Sequence, residues 1–276
     1  MDIESIGLND FTGKNRITEI SFVALSCDSF LHDWEKRTIP RVLNTMTLCF
    51  NPGRVIPANV SELTGLYNDE LEPIRTFGKL SVDLICDFLN HIGGQSVLIA
   101  HNGQRFDFPL LMAKISEINP SAFSSDLLSA DTVDIFRALF REKGILDTND
   151  LLRKDSPGDS FSTPKKRALP PHIPTVKPSA RPGLLTAGVI SGSRRKLDFT
   201  LDSSYHPTKQ SYMREPSFSL VEIHRRFFGD IPKESHRSMD DCLTLIRCAR
   251  CVAPHFLTYL HNFTLPINTF IPSIFK

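Results

Sequence analysis

Four carboxylates and one histidine, set in three short segments, are the side chains of this sequence best placed to do chemistry. Asp2-Ile3-Glu4 stands at the start. Asp107 closes the segment His101-Asn102-Gly103-Gln104-Arg105-Phe106-Asp107, and His236 and Asp241 bracket His236-Arg237-Ser238-Met239-Asp240-Asp241. Residues two apart in a strand share a face, so Asp2 and Glu4 project together. Asp107 follows the apolar run Ser96–Ala100 at the expected start of a helix, beyond the end of a strand where open α/β sheets place their ligands. Asp241 falls in the first turn of a later helix, with His236 on the loop before it. Carboxylates are the natural holders of Mg²⁺, and a pair of such ions about 3.5–4 Å apart can stabilise the attacking and leaving oxygens of a phosphodiester. An imidazole can take a proton from water near neutral pH. The set therefore reads as a nuclease site, with two Mg²⁺ (or Mn²⁺) on Asp2, Glu4, Asp107 and Asp241, and His236 as general base. His101 reads as a structural hydrogen-bonder and Asp240 as a helix N-terminal charge.

These residues need a scaffold of alternating strands and helices. Glu19–Ser26 and Met46–Phe50 read as neighbouring strands, the second stopped by Asn51-Pro52-Gly53. Leu80, Leu84, Ile85, Phe88, Leu89 and Ile92 recur at helical spacing until Gly93-Gly94. Ser96–Ala100 is a buried strand and 107–118 a helix that tolerates Pro109 in its first turn. Leu127–Thr132 and Val133–Arg141 add a strand and a helix, and further helical patterns cover 219–228, 239–252 and 254–262. Strands followed by alternating helices and strands mean an α/β fold on a mixed sheet.

Residues 153–216 interrupt this pattern. Seven of the chain's 19 prolines lie between Ser156 and Pro182, and Lys165–Lys196 holds eight Lys/Arg and no acid. That composition cannot build a core and predicts a disordered insertion. It is a linker, a phosphate-gripping strand or, at Lys165-Lys166-Arg167, a nuclear localisation signal. The net charge of +1 gives no global sign of a nucleic-acid partner. Six scattered cysteines predict free thiols in a reducing compartment, nucleus or cytoplasm, and Cys248-Ala249-Arg250-Cys251 lacks the second half of a zinc site. No run approaches the roughly 18 apolar residues of a membrane span, so no membrane partner is expected.

The segments 2–8, 61–66, 98–111, 218–245 and 256–272 together make the chain resemble the three-prime repair exonuclease family, within the DEDDh branch of DnaQ-like 3′→5′ exonucleases. His236 lies five residues before Asp241, as the His branch requires. The resemblance implies a single RNase H-like exonuclease domain over 1–276, interrupted by the insertion. It further implies removal of mononucleotides from single-stranded or mismatched DNA 3′ ends, a homodimer, and terminal nucleotides packed on Ser5, Leu8, Leu63 and Phe106. Aromatic and apolar side chains in those places suit any base. The family carries an apolar strand before the first Asp, whereas only Met1 precedes Asp2 here, which predicts a loosened Asp2 and Glu4. RNA trimming, and nucleic-acid binding without catalysis, stay open as alternatives.

Overall fold

The computed structural model describes residues 1–7, 16–123, 126–141 and 217–273. Leu8 and all of the expected insertion, 153–216, lie outside them. The described residues belong to one unit, Met1–Asp155 with Pro216–Lys276; the second unit, Ser156–Glu215, lies wholly outside them.

Strands β1 (Asp2–Ser5), β2 (Ile17–Ala24) and β3 (Asn44–Cys49) form an antiparallel ladder with β2 in the middle. Strand β4 (Val97–Ala100) pairs in parallel with β5 (Leu128–Asp131), and the two-residue β6 (Leu265–Pro266) adds an antiparallel edge to β5. The expected mixed sheet is thus made of two three-stranded ladders. The Met1 nitrogen ties them, donating to the Ile99 carbonyl at 2.6 Å. On the same edge of β1, Ile3 N–H donates to Asp107 Oδ1 at 3.0 Å. Strand β1 is therefore bonded along both edges, and Met1 itself is buried in the core.

Alternation along the strands divides the apolar mass into two layers. Ile3, Ile20, Phe22, Leu98 and Ala100 point into one cluster with Ile85 of α4 (Lys79–Ile92) and Leu111 and Met112 of α5 (Asp107–Ile118). Val97 and Ile99 point the other way. There they meet Phe136 of α6 (Thr132–Arg141), Phe227 of α7 (Leu220–Phe228), Cys248 of α8 (Ser238–Arg250) and Phe256 of α9 (Ala253–Asn262). Each fully buried Ile, Leu or Phe contributes about 1.5–3 kcal/mol, enough in sum to hold polar groups in places they would not choose. The tail past α9 closes the first layer, with Ile267 fully buried and Phe270 packed on Phe108.

Element ends follow local chemistry. Strand β2 stops at Ala24, short of Ser26, because Ser26 caps α1 (Cys27–Leu31) by accepting from Ser29 N–H. Helix α4 starts only after Gly78 and ends at Gly93, whose φ of +68° suits glycine. Two other short helices, α2 (Ala58–Thr64) and α3 (Asn68–Leu71), were not predicted. The CxxC cysteines are buried in the second layer, which pushes Cys251 up to about 11 and Cys248 higher still. Among the described residues no helix is long and apolar enough to cross a membrane.

Candidate active site

One face of the first ladder carries the acids. With Ile3, Ile20 and Phe22 turned into the core, Asp2 and Glu4 of β1 and Glu19 and Ser21 of β2 share the opposite face. Asp2 stands opposite Ser21, and Glu4 opposite Glu19. One residue further the register jumps, pairing Ser5 with Ile17 and leaving Thr18 as a bulge. The N-terminal end of α8 lies over this face. Ser238 N–H and Oγ both donate to Glu19 Oε2 at 2.8 Å, and Cys242 Sγ contacts Ser21 O. Asp107, the first residue of α5 and only 2% exposed, comes in along the free edge of β1.

Asp241 sits in the first turn of α8 and accepts from the His236 backbone N–H at 2.9 Å. His236 is exposed and adopts φ +62°, a left-handed conformation that L residues rarely hold. Ligand atoms of Glu4, His236 and Asp241 all lie within 4.8 Å of one another. The acids feel each other strongly. Burial, then Asp107 and Asp241, push Asp2 well above the usual carboxylate range. Burial, then Asp2, Asp241 and Glu19, push Glu4 up to about 8. Burial also raises Asp107 and Asp241. This crowding favours the neutral acids unless a cation is present. An oxygen-rich set of that kind fits a hard divalent ion, so the residues suit the metal that their sequence pattern implies.

The His101–Asp107 segment is held by a carboxylate that sequence reasoning missed. Asp131, at the end of β5, accepts from Asn102 N–H, Gln104 N–H and Val133 N–H at 2.9–3.0 Å. It thereby clamps the loop and caps α6 at once. Asn102 tolerates its φ of +61° as asparagine often does. A Cβ on Gly103 would fall 2.7–2.8 Å from Ala100 and Phe108, so that position needs glycine to let α5 approach β4. His101 is structural, as expected. Its two ring nitrogens meet Thr132 Oγ1 and the Phe218 carbonyl, and burial lowers its pKa to about 4.

Of the residues expected to meet substrate, Leu63 stands 52% exposed on α2 while its neighbours Ser61 and Thr64 are buried. It is free to pack against something, and it is not core. Helix α2, which carries Leu63, ends at Gly65 beside the Arg237 guanidinium, one residue from His236. Phe106 is partly buried against the first apolar layer. Ser5 is buried, and its hydroxyl donates to the Gly7 carbonyl at 2.8 Å, turning the chain out of β1.

Over 147 residues the chain is 34% identical to three prime repair exonuclease 2 of Homo sapiens, an alignment that covers 51% of this chain and 61% of that protein. A second alignment, of 102 residues at 37% identity, covers 36% of this chain and 32% of three-prime repair exonuclease 1 of Bos taurus. Over this shared part the chain is a homologue of the three prime repair exonucleases. It spans about three fifths of the human relative's length. No family model matches it. The zinc-bound complex of E. coli exonuclease I with single-stranded DNA superposes with a TM-score of 0.54 at 14% identity, covering 95% of this chain and 42% of that one. The three prime repair exonuclease homologue therefore shares the mixed α/β fold of exonuclease I.

Proposed function

We propose that this homologue is a metal-dependent 3′→5′ DNA exonuclease that releases mononucleotides from single-stranded or mismatched 3′ ends. The observation that carries the reading is the convergence of Glu4, His236 and Asp241 on a face where Asp2 and Asp107 also press their charge. Two Mg²⁺ or Mn²⁺ ions held by Asp2, Glu4, Asp107 and Asp241 would neutralise the charge that develops on the phosphate oxygens. The chain's own residues do the rest. His236, exposed on its loop, takes the proton of the attacking water. Asp241 keeps that loop in place by accepting the His236 N–H. Leu63 and Phe106 offer apolar faces to the terminal bases, which would stack there whatever their sequence.

The test is a time course on 5′-labelled single-stranded DNA and on matched RNA with Mg²⁺. A one-nucleotide DNA ladder is expected. Intact 3′ ends in the presence of folded protein would overturn the reading, and faster loss of the RNA would change the substrate.

Metal and protons should compete at the site. An unfolded glutamate titrates at 4.5, whereas folded Glu4 holds its proton up to about 8. Between those values the folded chain binds a proton that the unfolded chain has lost, so metal-free stability falls as pH rises. A divalent ion binds the ionised acids and releases their protons. Thermal melts in EDTA should therefore show Tm declining from about pH 5 to about pH 8. Mn²⁺ should raise Tm more at the upper end of that range than at about pH 6. A Mn²⁺ gain that shrinks with rising pH would contradict this linkage.

A further inference from the structure

Glu19 is a fifth carboxylate on the acidic face, and the mechanism above does not use it. It stands directly opposite Glu4 across the β1–β2 ladder. Like charges in that position repel and destabilise the pair. Something must hold Glu19 there, and its bonds show what. The N-cap of α8 is Arg237, whose side chain makes no capping bond. The free Ser238 N–H at the start of that helix donates instead to Glu19 Oε2 at 2.8 Å, and Ser238 Oγ adds a second bond of 2.8 Å to the same oxygen. Ser238 is fully buried and also bonds Ser21 Oγ, the next residue along the same face of β2. A buried backbone donor without a partner is costly, and a carboxylate at a helix N-terminus is favoured by the helix dipole. Glu19 supplies both needs across 219 positions of sequence.

We infer that Glu19 is a positioning residue, a cap supplied by the sheet that fixes the start of α8 and thereby aims the His236 loop at Glu4. The inference rests on the exonuclease reading. His236 lies two residues before Ser238, in a left-handed conformation that the loop would shed if its anchor slipped. Glu19 Oε2 points at α8, and Glu19 is outside the Glu4–His236–Asp241 cluster, so its work is done through those residues.

The experiment compares the full chain with Glu19→Ala, Glu19→Gln, His236→Ala and the double variant Glu19→Ala/His236→Ala. Hydrogen–deuterium exchange of the peptide over 235–241 reads the anchor without any metal or substrate. Exchange should rise at least about tenfold in Glu19→Ala, as expected of a lost buried bond, and Glu19→Gln, which keeps an acceptor, should restore most of the protection. With Mn²⁺ and single-stranded DNA, Glu19→Ala should lose about 10–100-fold in kcat with KM unchanged, the range for partners that orient a metal site. The Mn²⁺-induced rise in Tm should persist. In the His236→Ala background the same change should cost little more, since residues acting as one unit are non-additive.

Unchanged exchange at 235–241 in Glu19→Ala overturns the inference. So does a lost Mn²⁺ response that Gln fails to rescue, which would make Glu19 a metal ligand, or a full additional loss in the His236→Ala background. Should Glu19→Ala not fold, Ser238→Ala, which removes the Oγ bond to Glu19, carries the same exchange test with a smaller expected rise. A silent wild type that nevertheless shows the exchange effect would sink the exonuclease reading and leave the capping role standing.

Discussion

Asp241→Asn is expected to slow removal of the first nucleotide from labelled single-stranded DNA by about 10³-fold or more, while raising the stability of the metal-free protein. The two effects have one cause. Asparagine keeps the shape and can still accept the His236 N–H that Asp241 accepts at 2.9 Å, so the loop should stay in place. What is lost is one anionic ligand of the set. A metal's contribution to a phosphoryl-transfer transition state is worth several kcal/mol, and each 1.36 kcal/mol is tenfold in rate. Without the metal, the same charge is a liability, because Asp241 pushes the pKa of both Asp2 and Glu4 upward. Removing it relieves that repulsion most where the acids would otherwise ionise, near about pH 8. Single-turnover rates with Mn²⁺ and melts in EDTA check both halves. A rate within about tenfold of wild type, or a lower Tm in EDTA, would count against Asp241 as a ligand in a crowded acidic site.

Much of this site could be read from sequence because its signals are local. The alternation of Asp2, Ile3 and Glu4 needs only a strand to put both acids on one face, and β1 is that strand. Asp107 and Asp241 were placed by the helices they begin, whose apolar spacing runs on for ten or more residues in α5 and α8. Helices α2 and α3 were missed because four to seven residues give no period to count. Leu63 could not be told from a core leucine for the same reason; only the buried Ser61 and Thr64 on either side reveal which way it faces. Glu19 was hidden differently. In an apolar strand it looks like any solvent-facing acid, and its partner, Ser238, is near the other end of the chain. Asp131 did leave a trace: it is an N-cap residue type just before the helical run, and its carboxylate accepts from Val133 N–H in the first turn of α6. Its two bonds to the Asn102 and Gln104 amides depend on β4 lying beside β5, which no local pattern encodes.

His236→Ala should lower kcat by about 10²–10⁴-fold, the range for a general base, and leave the Mn²⁺-induced rise in Tm intact. The second half decides between two roles, since a ring nitrogen of His236 lies within 4.8 Å of carboxylate oxygens of Glu4 and Asp241 and could serve as a ligand. Loss of a ligand would weaken the Mn²⁺ response together with the rate; loss of a base would remove the rate alone. The backbone at this position offers a separate check. At φ +62° a residue with a Cβ is strained by roughly 1–2 kcal/mol, and glycine is not. His236→Gly should therefore melt above His236→Ala, and at or above wild type, while being as inactive as the alanine variant. A variant that gains stability as it loses the reaction is what results when a strained conformation is kept for aiming an imidazole. If glycine instead lowers Tm as much as alanine does, the strain is not stored at His236. The loop would then owe its shape to the bonds at Asp241 and Ser238 alone.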